Sequence, residues 1–375
     1  MRVSYLLREL CFATQSYTLD LAQSEFSEHT RTHTIFCTRD CTLSPLSLSL
    51  SLCRTKNIRR TYANSSPRTM NGRDWIRRVL SLLTLSTTFA SSEWIPMPDG
   101  REYHVSCIHH HDTAFHVTRL SDERTHLKYA NGTENTFTKC PFPSRPRGET
   151  SSDLQYYSDW SVYAESVHTD GLFGSFESTW TVPNPPKARG PADQSSVYFF
   201  NGLEDGGGTH GNASLILQPV LQYGKSGCVL NPFKWNQWHF GAYLVDGNGR
   251  AHCGSMMKVK TGESLLGSMT QDPSSERWTV SATRIDTNET STYSASLGSI
   301  QIDSAYVVME GMVIYTCDAY PPDDRITFTS NRATSKAGTS IPFRWIPMLR
   351  HQECNQNVHI DTDQNTVTLL YTNKQ

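Results

Sequence analysis

From Tyr156 onward, short runs rich in Val, Ile, Thr, Tyr, Phe and Trp alternate with turn clusters. That pattern predicts β-strands. The runs fall at 174–182, 196–200, 215–222, 238–245, 256–259, 277–284, 305–315 and 325–329. Turns are marked by Asn184-Pro-Pro, Glu204-Asp-Gly-Gly-Gly, Asp246-Gly-Asn-Gly and Pro321-Pro-Asp-Asp. No stretch carries a sustained 3.6-residue period with helix caps. Many short strands with regular turns predict an all-β sandwich or barrel over residues 156–375.

Two runs carry more than a strand signal. In Leu215-Ile-Leu-Gln-Pro-Val-Leu-Gln222, alternation puts Leu215, Leu217, Pro219 and Leu221 on one face. Ile216, Gln218, Val220 and Gln222 take the other. Pro219 cannot donate to a ladder, which predicts an edge strand or a bulge. The run Ala305-Tyr-Val-Val-Met-Glu-Gly-Met-Val-Ile-Tyr315 is almost continuously apolar, the mark of a strand covered on both faces. Glu310 is its only charge. Burying a carboxylate is costly unless it is paired, and ionisable groups perturbed in this way cluster at functional sites.

The N-terminal quarter reads differently. Residues 1–69 include the repeat SPLSLSLSLC at 44–53 and show no strand or helix period, so they read as disordered or as upstream sequence. Residues 70–90 have the order of a secretory signal peptide. Arg73, Arg77 and Arg78 precede the apolar run Val79–Leu85, and Thr88-Phe-Ala90 offers small residues for cleavage. Residues 91–140 are expected to be a small pro-region or N-terminal module, or else an extra hairpin of the main domain. Residues 141–155, rich in Pro, Ser and Arg, read as a linker.

Cysteines agree with export. Beyond Ala90 there are Cys107, Cys140, Cys228, Cys253, Cys317 and Cys354, an even set that suggests disulfides. Neighbour pairing is the simplest arrangement. Asn131, Asn212 and Asn288 head acceptor sequons for glycosylation. The formal net charge of −2 gives no basic field for nucleic acid. No segment after the signal is long and apolar enough to span a membrane. A secreted, monomeric product is expected.

Six blocks, in order, resemble the glutamic peptidases of the eqolisin (scytalidoglutamic peptidase) group. They are Ser178-Thr-Trp-Thr-Val-Pro183, Phe200-Asn-Gly-Leu-Glu204, Ile216-Leu-Gln218, Trp235-Asn-Gln-Trp238, Val259-Lys-Thr-Gly-Glu-Ser264 and Ala305–Glu310. The resemblance spans about 174–315 and implies a concanavalin-like β-sandwich of two antiparallel sheets. It also implies a groove on one concave face that takes an extended polypeptide. Gln218 and Glu310 would then be catalytic. Glu310 would take a proton from the attacking water, and Gln218 would donate to the oxyanion. Glu204, Gln222, Trp235, Gln237 and Trp238 would line the groove. No metal or cofactor is implied. The family's last strand carries two glutamates four residues apart. This chain has Tyr306 at the first position, and Gln222 competes with Gln218 for the amide role.

Other chemistries are weaker. His109-His-His111, with His104 and His116 nearby, has no carboxylate or cysteine spacing that completes a metal site. Gly206–Gly208 lack the Lys-Ser/Thr of a phosphate loop, and no Gly-x-Ser-x-Gly elbow occurs. The rival class is a lectin-like carbohydrate-binding sandwich, using Trp160, Trp180, Trp235, Trp238 and Trp278. A glycanase would need two carboxylates about 5–9.5 Å apart, for which Glu204 and Glu310 are candidates.

Overall fold

The computed structural model describes residues 94–121, 124–146, 157–168, 172–187, 195–205, 215–229, 231, 234–246, 249–298 and 300–372. The upstream stretch, the signal peptide, residues 147–155 of the linker and Asn212 lie outside the described residues. The chain divides into Met1–Leu80 and Ser81–Gln375, and every described residue belongs to the second unit.

The N-terminal strands are β1 (Trp94–Met97), β2 (Arg101–His104), β3 (Ile108–His110), β4 (Phe115–Ser121), β5 (Arg124–Tyr129), β6 (Glu134–Thr138) and β7 (Arg145–Pro146). Then follow β8 (Tyr157–Val167), β9 (Phe173–Thr181), β10 (Ser196–Glu204), β11 (Ile216–Gly224), β12 (Trp238–Asp246), β13 (Arg250–Cys253), β14 (Met257–Val259), β15 (Ser264–Gln271) and β16 (Arg277–Arg284). The last are β17 (Glu289–Ser296), β18 (Ser304–Ile314), β19 (Arg325–Ser335), β20 (Ser340–Ile341), β21 (Ile346–Leu349), β22 (Asn357–Asp361) and β23 (Thr366–Leu370).

Among the described residues these form two large sheets and one small one. The front sheet runs β21-β8-β18-β10-β11-β12-β13-β3, with β14 also on β12. The back sheet runs β22-β23-β19-β9-β15-β16-β17-β4-β5-β6, with β20 on β19. The small sheet is β1-β2-β7. The expected all-β sandwich is the observed fold. Its sheets are not purely antiparallel, because β3 joins β13 and β4 joins β17 in parallel. The N-terminal strands thus extend an edge of each large sheet.

Alternation builds the core. Phe199, Leu217, Leu221, Phe240, Val307 and Met309 of the front sheet meet Phe176, Trp180, Leu265, Met269 and Phe328 of the back sheet. Each such side chain contributes roughly 1.5–3 kcal/mol on burial. The two sheets pinch together at Gly267. A Cβ there would sit 2.2 Å from Asn201 Oδ1 and 2.6 Å from Pro219 Cγ. The Asn201 amide also donates to the Gly267 carbonyl at 3.1 Å.

Pro219 departs from expectation. Its strand, β11, is neither an edge nor bulged; it lies between β10 and β12. The β10–β11 pairing skips Asn201 and Gly202 but keeps its register on both sides. The missing N–H falls in that opening, so the sheet interior tolerates the proline.

The disulfides are Cys107–Cys140, Cys228–Cys253 and Cys317–Cys354, the neighbour pairing. Asn131 and Asn288 lie exposed at turns. No described helix is long and apolar enough to cross a membrane.

Candidate active site

The outer face of the front sheet carries a second buried cluster. It contains Trp160 and Tyr163 of β8, Tyr306, Val308 and Met312 of β18, and Tyr198 and Phe200 of β10. Ile216 and Val220 of β11, with Tyr243 and Val245 of β12, complete it. Glu310, Gln218, Gln222 and Glu204 share this face by alternation, and all four are buried. The expected two-sided burial of β18 therefore holds along its whole length.

Register sets the side chains in rows. Tyr198 lies opposite Gln222 on one side and Glu310 on the other. Phe200↔Val220 and Leu203↔Leu217 set Gln218 opposite Gly202, which in turn faces Tyr306. One row is thus Gln222–Tyr198–Glu310, and another is Gln218–Gly202–Tyr306–Glu165. A β-bulge puts one extra β8 residue, Ser161, beside Glu310, so that Trp160 pairs with Glu310 and Val162 with Met309. Bulges of this kind re-aim side chains next to sites.

What covers this face is the β1–β2 hairpin. Met97 and Tyr103 belong to its buried cluster. The hairpin tip is Pro98-Asp-Gly100, with Gly100 at φ 73°, the left-handed conformation that favours glycine. Asp99 closes the turn by accepting from Arg101 N at 3.2 Å and from the Tyr103 hydroxyl at 2.6 Å. The Gln218 amide donates to the Pro98 carbonyl at 2.8 Å. Glu310 Oε1 accepts from the Gly100 N–H at 3.0 Å. Gln218 and Glu310 thus hold the C=O and N–H of one three-residue stretch.

The remaining expected residues divide. Gln222 accepts from the Tyr243 hydroxyl. Glu204 is buried on the same face near Tyr306. Burial, then the charges of Glu204 and Glu165, push the Tyr306 phenol well above its usual value. Burial first, then Tyr198, does so for Tyr243 as well, so both phenols are neutral. Trp235 and Gln237 lie half-buried in the loop before β12, with Trp235 Nε1 donating to the Val229 carbonyl at 2.8 Å. Trp238 is a correction. It opens β12 on the opposite face, in the inter-sheet core beside Phe199 and Tyr223, because strand alternation separates it from Tyr243. Trp180 and Trp278 are in the same core.

Sequence reasoning missed the hairpin tip and the tyrosines of the second cluster. Pro98-Asp-Gly100 after the short apolar run Trp94–Met97 is a turn signature that could have revealed the hairpin. Its docking partner had no local signal. Among the described residues no group of His, Cys, Asp or Glu has a metal-binding arrangement.

No protein-family model matches the chain, and no curated protein matches its sequence. Among solved structures, the chain is similar to scytalido-glutamic peptidase with a transition state analog inhibitor. That match has 15% identity and a TM-score of 0.41, and covers 58% of this chain and 100% of that one. The chain is also similar to a member of the Eqolisin family of peptidases in complex with the tripeptide Ala-Ile-His. Here identity is 14%, the TM-score is 0.40, and coverage is 58% and 100%. For lectin II from Ulex europaeus the figures are 11%, 0.25, 52% and 87%.

Proposed function

We propose that this protein is a secreted endopeptidase of glutamic type, acting on extended polypeptides at the outer face of the front sheet. The observation that carries this reading is the grip of Gln218 and Glu310 on one peptide stretch. A substrate carbonyl in the place of the Pro98 carbonyl would receive the Gln218 N–H. As water attacks that carbonyl, the oxygen gains negative charge and the amide bond to it strengthens. Glu310, which in the hairpin holds the N–H two residues on, would there hold the attacking water instead, accept its proton and return it to the departing amine nitrogen. No covalent intermediate forms, and the balance needs only water.

The sugar-binding alternative has less support. Trp180, Trp238 and Trp278 lie in the core between the sheets and offer no platform for a sugar ring; Trp160 alone of these four shares the covered face with Gln218 and Glu310.

The test is cleavage of a denatured protein by the purified chain across pH 2 to 7, with pepstatin and EDTA in parallel. Acid-limited cleavage that resists both and disappears in Glu310→Gln is the expected result. Absence of cleavage at every pH by wild type, with the hairpin cut away, would reject the peptidase reading.

A further inference from the structure

The segment that covers the site is fastened at a second place. Strand β3 follows the β1–β2 hairpin after the short 3-10 turn Val105–Cys107, where Cys107 is bonded to Cys140, and pairs with β13 over only three residues, Ile108↔Ala251, His109↔His252 and His110↔Cys253. The next amide, His111 N, donates to the Cys253 carbonyl at 2.9 Å. So short an edge pairing is weak alone. Side chains reinforce it. The His252 ring lies 5.2 Å from His109 and 5.7 Å from His111, stacked on each.

The polar contacts of this stack bear on the protons that His109 and His111 can carry. The Arg250 guanidinium is 2.9 Å from His109 Nε2, which must therefore be the acceptor. The Tyr129 hydroxyl lies 3.1 Å from His111 Nδ1. His111 Nε2 lies 3.4 Å from His252 Nδ1, and His252 Nε2 lies 3.5 Å from Asp246 Oδ2. A single relay satisfies them all: Tyr129 donates to His111, His111 to His252, and His252 toward Asp246. A second proton on His109 would have to displace the Arg250 donor, and one on His111 would have to reverse the Tyr129 bond. It would also face Arg250 or another imidazole. The other neighbours are the Phe137 and Phe115 rings and, on β3 itself, His110, which turns away to Asp112 at 2.9 Å. Thr125 holds Asp246 at 2.6 Å.

We infer that the His109–His252–His111 stack is an acid-released latch, which holds β3 and the adjoining β1–β2 hairpin over the outer face of the front sheet. As a device that regulates the site, it rests on the peptidase reading; as a physical switch, it does not. Burial first, then His252 and, for His109, Arg250, lower both rings to about 3. A released segment would titrate near the ordinary value of about 6.5. The released state therefore takes up protons that the docked state refuses. Docking weakens as pH falls from about 6.5 toward about 3 and levels off below that. For partly screened rings the expected loss by pH 4 is on the order of 10- to 100-fold per histidine. Burial pushes the Asp246 carboxyl up, but His252, Thr125 and the Arg250 amide, all outside the released segment, outweigh burial and hold it low.

Hydrogen–deuterium exchange of the full chain, corrected for intrinsic rates, tests this. Protection of 94–111 is expected to fall more than about tenfold from pH 7 to 4 while 304–314 keeps its protection. His109→Gln keeps an acceptor for Arg250 without titrating, and His111→Phe keeps the ring contacts. Each should blunt the fall. If 94–111 is insensitive to pH, if both segments open together, or if neither variant alters the fall, the latch is refuted. The readout needs no catalysis, so a latch without cleavage and cleavage without a latch remain distinguishable.

Discussion

Replacing Gln218 with Leu should loosen the hairpin and, in the uncovered protein, abolish cleavage. The substitution removes the 2.8 Å bond to the Pro98 carbonyl at a site with no solvent exposure. Stranding a buried acceptor costs about 1–3 kcal/mol. Part of that is offset, because Gln218 Oε1 has no hydrogen-bond partner among the described residues and leaves with the side chain. A net loss of about 1–2 kcal/mol corresponds to about 5- to 30-fold in the docking equilibrium. Hydrogen exchange of 94–104 in the full chain should rise by that factor, with strands β15 and β16 unchanged. In a form freed of the hairpin, loss of the oxyanion donor should lower turnover about 100- to 1000-fold. Exchange that changes less than about twofold would mean the Gln218–Pro98 bond does not hold the hairpin. Turnover that survives would remove Gln218 from the chemistry.

Gly267→Ala places a methyl within 3 Å of Asn201, Pro219 and Trp180, so urea denaturation should show a loss of about 1–3 kcal/mol or more. Trp238→Ala should act on stability, by about 3–5 kcal/mol in the same assay, because the ring is in the core and not on the site face. Replacing Cys317 and Cys354 by Ser opens a loop spanning 37 residues and should cost about 2–4 kcal/mol, read as a lower thermal midpoint.

Period-two alternation located the strands that position the site. Leu217 and Leu221 pointed inward and Gln218 and Gln222 outward, as the run 215–222 implied. Strand β16 lies at the residues its pattern marked. Strands β8, β15 and β17 escaped notice because Ser, Thr, Asp and Gly interrupt their apolar positions. The back sheet compensates with hydroxyl pairs across strands, such as Ser281 with Thr292 and Thr179 with Thr329. The apolar run 305–315 announced burial on both faces, but not what does the covering. That cover comes from Gly100, 210 residues earlier in the chain, and such a long-range contact leaves no local periodicity.

The choice between the two glutamines was open in the sequence, and the register bears on it. Gln222 shares a row with Glu310, which favours it at first sight. But the fully buried Tyr198 stands between them; the Tyr243 hydroxyl holds only the oxygen of Gln222, whose Nε2 has no hydrogen-bond partner among the described residues. Gln218 instead faces Gly202, where an added Cβ would make only ordinary contacts at 3.5 Å and beyond. The space above Gly202 has no side chain of its own, so a peptide backbone can enter it and meet the Gln218 amide. In the hairpin, Glu310 meets the same stretch two residues on, at the Gly100 N–H, along the chain and not across the row. A polypeptide strand, rather than a compact ligand, is the kind of molecule that satisfies both contacts at once. Glu310 is the carboxylate that meets the Pro98–Gly100 stretch, while Glu204 and Glu165 lie near Tyr306 on the same face. Tyr306, a phenol kept neutral by burial and by the charges of Glu204 and Glu165, is no base to stand in for that carboxylate.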